Sequence, residues 1–224
     1  MSQQNFIDRE DELQFLQDRY QSDETKWVIN PSNHNLMHIL EDILAYNLLI
    51  VFCGSAVSRK SREKGCYYCG PGNKFWPQFS RITGREIVMP ASIEDCRIVL
   101  EYGIGLTDLN KTESGSDRSL TKSEYNTDSF IQKMLEYAPR FIVFNGKEAA
   151  RHALKRREIG YGMQSEMIGE SSVFVAPSTS GLSAKDWKYH GEECWGRIGE
   201  IYSEMRAGGV ENRMSHSSSE QEQR

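Results

Sequence analysis

The chain has 224 residues, 38% of them apolar, and a formal net charge of −5. That length accommodates one domain with a full core, while the absence of any apolar run near the ~18–20 residues that span a bilayer argues against a membrane protein. The polar, acidic start MSQQNFIDRED does not read as a secretion signal, and five cysteines, an odd number, read as reduced thiols rather than a disulfide framework, so a cytoplasmic setting, or a nucleoid or nuclear one, is expected.

Residues 1–33 place Ile7, Leu13, Leu16 and Tyr20 among charges, which predicts a loosely docked amphipathic helix in a peripheral N-terminal extension. Over residues 34–46, Leu36, Ile39, Leu40, Ile43 and Leu44 fall on one helical face and predict a second helix. The apolar run LLIVFC at residues 48–53 predicts a strand buried on both faces. Beyond it, residues 54–72 read as a loop and Phe75-Trp76 as the start of a short helix to about residue 82.

Charge is unevenly spread along this part of the chain. Residues 1–46 hold nine acidic and three basic residues, whereas residues 54–85 hold seven basic and one acidic. The cluster Arg59, Lys60, Arg62, Lys64 and Lys74 can meet phosphates whatever the global sum; a solvated loop with scattered charge is the plainer alternative. In the same loop, Cys66-x-x-Cys69 would serve as half of a metal site only with two further ligands from Cys96, Cys194 or a histidine such as His190. None of those forms a second pair, so no metal and no cofactor is expected.

Ser92 is placed to cap a further helix. YGIGLTDL, residues 102–109, reads as a short strand whose glycines permit close approach of another backbone, and residues 110–125 as a polar loop. A helix over 128–137, a strand FIVF at 141–144, a helix over 148–157 and a strand VFVA at 173–176 follow. Trp195, Ile198, Ile201, Tyr202 and Met205 repeat at helical spacing. From residue 208 the polar tail reads as disordered. Strands alternating with helices predict a three-layer α/β/α domain over residues 34–207, with a central, mostly parallel four-stranded sheet. Its loops at residues 54–72, 108–119, 145–147 and 178–183 should converge on one sheet edge, where such folds bind ligands.

Taken in order, FCG, GPGNKFW, YGIGLTDL, FNGK and PSTSGLS resemble the mismatch-specific uracil/thymine-DNA glycosylases of the uracil-DNA glycosylase superfamily, over about two-thirds of the chain. The resemblance implies a monofunctional enzyme of base-excision repair that acts, as a monomer, on double-stranded DNA. It would flip out a deaminated base (uracil, hypoxanthine or mismatched thymine) and hydrolyse the glycosidic bond. Leu182, presented by Gly181, matches the family's intercalating wedge, with Ser178, Thr179, Ser180 and Ser183 around it for phosphate contacts and Arg59, Lys60 and Lys74 as further DNA-binding residues. Without the resemblance, Leu182 folded back on the core would be the plainer reading. Tyr68 matches the aromatic that stacks on the flipped base. Gly54, Ser55, Ala56 and Asn145 fall at base-binding positions, and Lys147 beside Asn145 suits a phosphate or an internal carboxylate.

One departure stands out. The family's first motif carries a water-holding asparagine where this chain has Ala56, and loss of one positioned polar group in an active site costs about 10²–10³ in rate. Asn73, whose amide both donates and accepts, and Asp108, a carboxylate suited to orient water, are the candidate catalytic replacements. A branch of the superfamily that acts on hypoxanthine resembles this shifted-asparagine arrangement and favours Asn73. Against these roles stand Asn73 as a turn residue and Asp108 as a cap or a partner of Lys111. A second reading is a catalytically weak or inactive protein that binds mismatched or damaged DNA on the same fold. A third, a small-molecule nucleotide or phosphate-binding enzyme, lacks any Walker or G-x-G-x-x-G pattern to support it.

Overall fold

Alternation along three strands sets the layers. The computed structural model describes residues 39–115 and 125–221, all within one unit, Met37–Arg224; the expected N-terminal extension lies outside the described residues. Strand β1, Ile50–Val57, sends Ile50 and Phe52 into one core and Val51 and Cys53 into another. Strand β3, Phe141–Asn145, divides Phe141 and Val143 from Ile142 and Phe144 in the same way. Successive side chains of a strand point to opposite faces, so each apolar run feeds two cores and needs helices on both sides.

The sheet has five strands in the order β2-β1-β3-β5-β4. Strands β1, β2 (Ile104–Ser114), β3 and β5 (Ser171–Ala176) pair in parallel, and β4 (Gly162–Ile168) pairs antiparallel with β5. The four-stranded expectation is therefore corrected to five. Strand β4 has no apolar run: its sequence GMQSEMI alternates half-buried and exposed residues, and Met163 and Met167 face outward. An edge strand closed by a two-residue turn at Gly169, with φ of 59°, buries too little to read as a strand.

Helices α1 (Arg59–Lys64), α2 (Phe75–Thr83), α3 (Ile93–Cys96), α4 (Thr127–Tyr137), α5 (Lys147–Ala153) and α6 (Glu192–Gln221) complete the described architecture. Ser58 caps α1 by accepting the Ser61 N–H, and Ser92 caps α3 as expected. Helices α2 and α6 cover the face of Phe52, whose ring stacks on Trp195 at 5.4 Å and meets Phe75 edge-on at 5.2 Å. Helices α4 and α5 supply Phe130, Met134, Ala149 and Ala150 to the other face. Helix α6 carries Trp195, Ile198, Ile201 and Tyr202 into the core, at the helical spacing expected of them.

Three expectations change near the sheet's edge. Strand β1 continues beyond Gly54 to Val57, so Ser55 and Ala56 lie in a strand, with Ala56 opposite Asn110. Strand β2 likewise absorbs the first residues of the expected loop. Of the helix predicted over residues 34–46, the described part is not helical: Ile43 forms an antiparallel bridge to Leu106, exchanging hydrogen bonds of 2.9 and 2.8 Å. This segment covers the outer edge of β2, and Gly105 makes it possible, since a Cβ there would come within 2.8 Å of the Ile43 carbonyl oxygen. Covering an exposed strand edge in this way removes its unpaired backbone groups.

The same segment delivers a buried ion cluster. Asp42 accepts from Lys111 Nζ at 2.8 Å and from Thr107 Oγ1 at 2.6 Å, and its second oxygen pairs with Lys133. Burial disfavours its charge, but the two ammonium groups overcome that and hold its carboxyl well below the ordinary range. Lys111 also donates to the Tyr67 hydroxyl at 2.9 Å, which in turn donates to the Glu41 carbonyl at 3.0 Å. Removing one partner from a buried ion cluster costs about 3–5 kcal/mol. Asp42→Asn is accordingly expected to lower unfolding stability by that order at neutral pH, measured by urea denaturation. Because the folded-state proton affinity of Asp42 is depressed, its contribution is present at neutral pH and fades as pH falls below the ordinary carboxylate range.

Candidate active site

Asp108 lies in the middle of β2, directly opposite Gly54 of β1. Its carboxylate rests over the glycine: a Cβ at residue 54 would come within 2.3 Å of Asp108 Oδ1 and 3.3 Å of the Tyr68 hydroxyl. A side chain there would have to push the Asp108 carboxylate aside. Asp108 is 2% exposed, and its Oδ2 has no hydrogen-bond partner among the described residues. Burial pushes its carboxyl up to about 6, with Lys111 and Lys133 pulling it down and Asp42 pushing it further up. The expected alternative of an Asp108–Lys111 pair is not what forms, since Lys111 turns to Asp42.

Tyr68 sits half-buried on the turn after α1 at a φ of 56°, a left-handed conformation uncommon for a residue with a side chain. Its ring stacks on Phe75 with centroids 4.2 Å apart. Its buried hydroxyl, like Asp108 Oδ2, lacks a partner among the described residues. The Asn145 amide comes near that hydroxyl but is committed elsewhere: Nδ2 donates to Thr179 Oγ1 and Oδ1 accepts the Thr179 N–H, both at 2.9 Å. Two unpartnered polar atoms, on the two side chains that face Gly54 in a buried site, are the kind of group that a ligand or a water satisfies.

Thr179 is the joint of the site. Besides holding Asn145, its carbonyl accepts the Lys74 N–H at 2.9 Å, which ties the end of β3, the loop after β5 and the GPGNK turn together. Because Thr179 is fully buried, its expected phosphate contact is replaced by this internal role. Gly181 would carry a Cβ within 3.6 Å of the Gly72 carbonyl oxygen, so the second loop packs on the first. Leu182, at its tip, is 84% exposed rather than folded back. Ser178 and Ser180 accept the backbone N–H groups of Ser180 and Leu182, and an accepting hydroxyl keeps its own O–H to donate. Ser183 is half-buried and closes the turn through its N–H to the Ser180 carbonyl.

The remaining expected residues lie around this centre. Asn73 Oδ1 accepts the Phe75 N–H at 2.9 Å at the start of α2, the turn role read as its alternative, and its Nδ2 is the part of the amide left outside that bond. Arg59 and Lys60 are exposed on α1, where Lys60 pairs with Glu63 at 2.8 Å. Lys74 places its ammonium 5.1 Å from the Trp187 ring centroid, a partner invisible in the linear sequence because it lies on a π-helical turn, Trp187–Gly191. Lys147 stands 4.0 Å over the Tyr161 ring, and no ion pair joins it to a carboxylate among the described residues. A cavity of about 410 Å³ opens beside it, lined by Tyr161, His190 and Arg197 and by none of Gly54, Tyr68 or Asp108.

The model of the uracil DNA glycosylase superfamily matches residues 42–198, from Asp42 of the ion cluster through all five strands into the first turns of α6. The chain belongs to the uracil DNA glycosylase superfamily. A solution NMR structure from Methanosarcina acetivorans, of a protein provisionally named a uracil DNA glycosylase, shares the fold: the TM-score is 0.54 at 24% identity, over 75% of this chain and 96% of that one. Membership makes the chain a DNA glycosylase by family, and no described helix is long and apolar enough to cross a membrane.

In this glycosylase fold the buried Asp108 carries a stability cost. Its folded-state proton affinity is raised to about 6, so the folded protein binds the proton more tightly, and stability falls as pH rises through the window from about 4 to about 6. Above that window the penalty is full, on the order of 3 kcal/mol. Asp108→Asn is expected to raise the thermal midpoint near pH ~8, with the difference from wild type shrinking toward pH ~4. An unchanged midpoint across that range would show that the carboxylate is not destabilised by its surroundings.

Proposed function

We propose that this chain is a monofunctional glycosylase that flips a deaminated base, uracil or hypoxanthine, or a mismatched thymine, out of duplex DNA and releases it by hydrolysis. The observation that carries the reading is the Asp108 carboxylate, buried against Gly54 with one oxygen unpartnered, the Tyr68 hydroxyl facing the same glycine. Breaking a glycosidic bond develops positive charge on the sugar and needs a directed water, and a carboxylate serves both needs. Asp108 takes the place that Ala56, without a polar group, leaves empty. Asn73 adds donors from Nδ2, suited to the water or to the departing base.

Tyr68, backed by Phe75, offers the stacking surface, worth roughly 1–3 kcal/mol per base. Leu182 fills the gap that the base leaves in the duplex, as apolar wedges at loop tips do. Ser178 and Ser180 donate to phosphates from hydroxyls whose lone pairs hold the loop, and Arg59, Lys60 and Lys74 supply charge. The exposed Lys60–Glu63 pair is weak enough to give way to a phosphate. The unit that acts is residues 34–207, working as a monomer.

The test is a panel of duplexes with a single G·U, G·T or inosine lesion, scored for abasic sites. Release of a base is expected, with the rate rising with pH through about 6 as Asp108 ionises. Asp108→Asn should lower the rate of release by about 10²–10³, Asn73→Ala should lower it as well, and Leu182→Ala should weaken binding to the lesion. Ala56 favours a second reading, a damage-binding protein without catalysis. Salt-sensitive binding lost in Leu182→Ala, with no base released from any duplex at high protein concentration, would establish that reading and remove the first.

A further inference from the structure

One cluster of ligating side chains takes no part in the proposed reaction. Cys66 and Cys69 stand on the turn between α1 and α2, Cys96 ends α3, and the three sulfurs lie within 4.8 Å of one another. All are buried, at 0%, 2% and 0% exposure. Cys66 and Cys69 are joined as a disulfide, contrary to the reduced thiols expected, and Cys96 is left as a free thiol beside them. A disulfide within a four-residue turn has no need of a third sulfur brought from another element.

We propose that Cys66, Cys69 and Cys96 form a thiolate site for a thiophilic divalent cation of the zinc class, in a state exclusive with the Cys66–Cys69 disulfide. A tetrahedral ion with Zn–S bonds of about 2.3 Å sets its sulfurs roughly 3.8 Å apart; Cys96 Sγ already lies within 4.8 Å of both other sulfurs, and the bonded Cys66–Cys69 pair opens to that spacing once reduced. The Cys-x-x-Cys turn presents two ligands from one segment of the chain. The third ligand comes from a separate element, which is how small structural sites cross-link a fold. An oxygen donor is also at hand, because the Pro90 carbonyl lies 3.4 Å from Cys66 Sγ and 3.2 Å from Cys69 Sγ.

The exchange balances. Reduction of the disulfide takes two electrons and two protons to give two thiols, supplied by a phosphine that leaves as its oxide with oxygen from water. Three thiols then bind one divalent ion and release three protons. The two states constrain the fold differently. The disulfide closes only its own turn, whereas an ion bonded also to Cys96 fastens α3 to the turn that carries Tyr67 and Tyr68. That turn already anchors α2, since Trp76 Nε1 donates to the Tyr67 carbonyl at 2.9 Å.

The test needs no glycosylase activity, so its outcome is separate from that of the proposed function. The full-length protein, reduced with a phosphine under argon, is titrated with Co²⁺ as a spectroscopic probe. One equivalent is expected to bind with a thiolate-to-cobalt charge-transfer band and tetrahedral ligand-field bands, and Zn²⁺ is expected to displace it. Cys96→Ala should lose both sets of bands while its Cys66–Cys69 disulfide still forms on air oxidation, read by mass spectrometry, which also reports that the turn is intact. Cys69→Ser should lose both properties. Absence of the charge-transfer band in the reduced wild-type protein, or its persistence in Cys96→Ala, overturns the proposal.

Discussion

The Asp108 carboxylate rests on bare backbone at Gly54, inside a parallel pair of strands, and the arrangement of the site follows from that contact. A side chain at residue 54 would displace it, so glycine at the end of an apolar run is what lets the carboxylate lie where it does. The molecule holds a second buried carboxylate, Asp42, and treats it differently. Asp42 has two ammonium partners and a threonine hydroxyl, and its charge is stabilised. Asp108 keeps an oxygen without a partner, and its charge is disfavoured. Buried charge that is fully paired serves the fold, whereas buried charge left unsatisfied lowers stability, which is why the proposed reaction is placed at Asp108.

The two carboxylates are coupled through Lys111. Its ammonium is spent on Asp42 and on the Tyr67 hydroxyl, so it acts on Asp108 only through space, keeping that carboxyl from rising further. The same lysine pins Tyr67 and thereby the turn on which Tyr68 adopts its left-handed conformation. A strained backbone persists when its neighbours determine it. Here those neighbours are the Lys111 bond, the Trp76 indole bond and the cysteine cluster flanking the two tyrosines. Thr179 performs the corresponding task on the other side, fixing Asn145 and the start of α2 together.

Much of this was legible in the chain. Ile50 to Cys53, Phe141 to Phe144 and Val173 to Ala176 announced themselves as doubly buried strands, because burial on both faces demands uninterrupted apolar residues. The ordered motifs located the loops that meet at the sheet edge, and Leu182 proved exposed at a loop tip. Strand β4 did not register, because an edge strand with polar residues on one face has little apolar signal. The segment around Ile43 carried helical periodicity and still lies extended, since pairing with the uncovered edge of β2 outweighs a local preference.

What the sequence by itself determined was the layered α/β fold, the family and the identity of the residues at the sheet edge, because hydrophobic alternation and ordered short motifs are local properties. Only the tertiary structure decided which of those residues share an environment. Asn145 is consumed by Thr179, Asn73 gives one atom to a helix start, Lys111 leaves Asp108 for Asp42, and Cys96 joins a pair 27 residues away. Partner choice among buried polar groups depends on distances between chain segments remote in sequence, and hydrogen bonds and ion pairs are short-ranged enough that only the folded arrangement settles them.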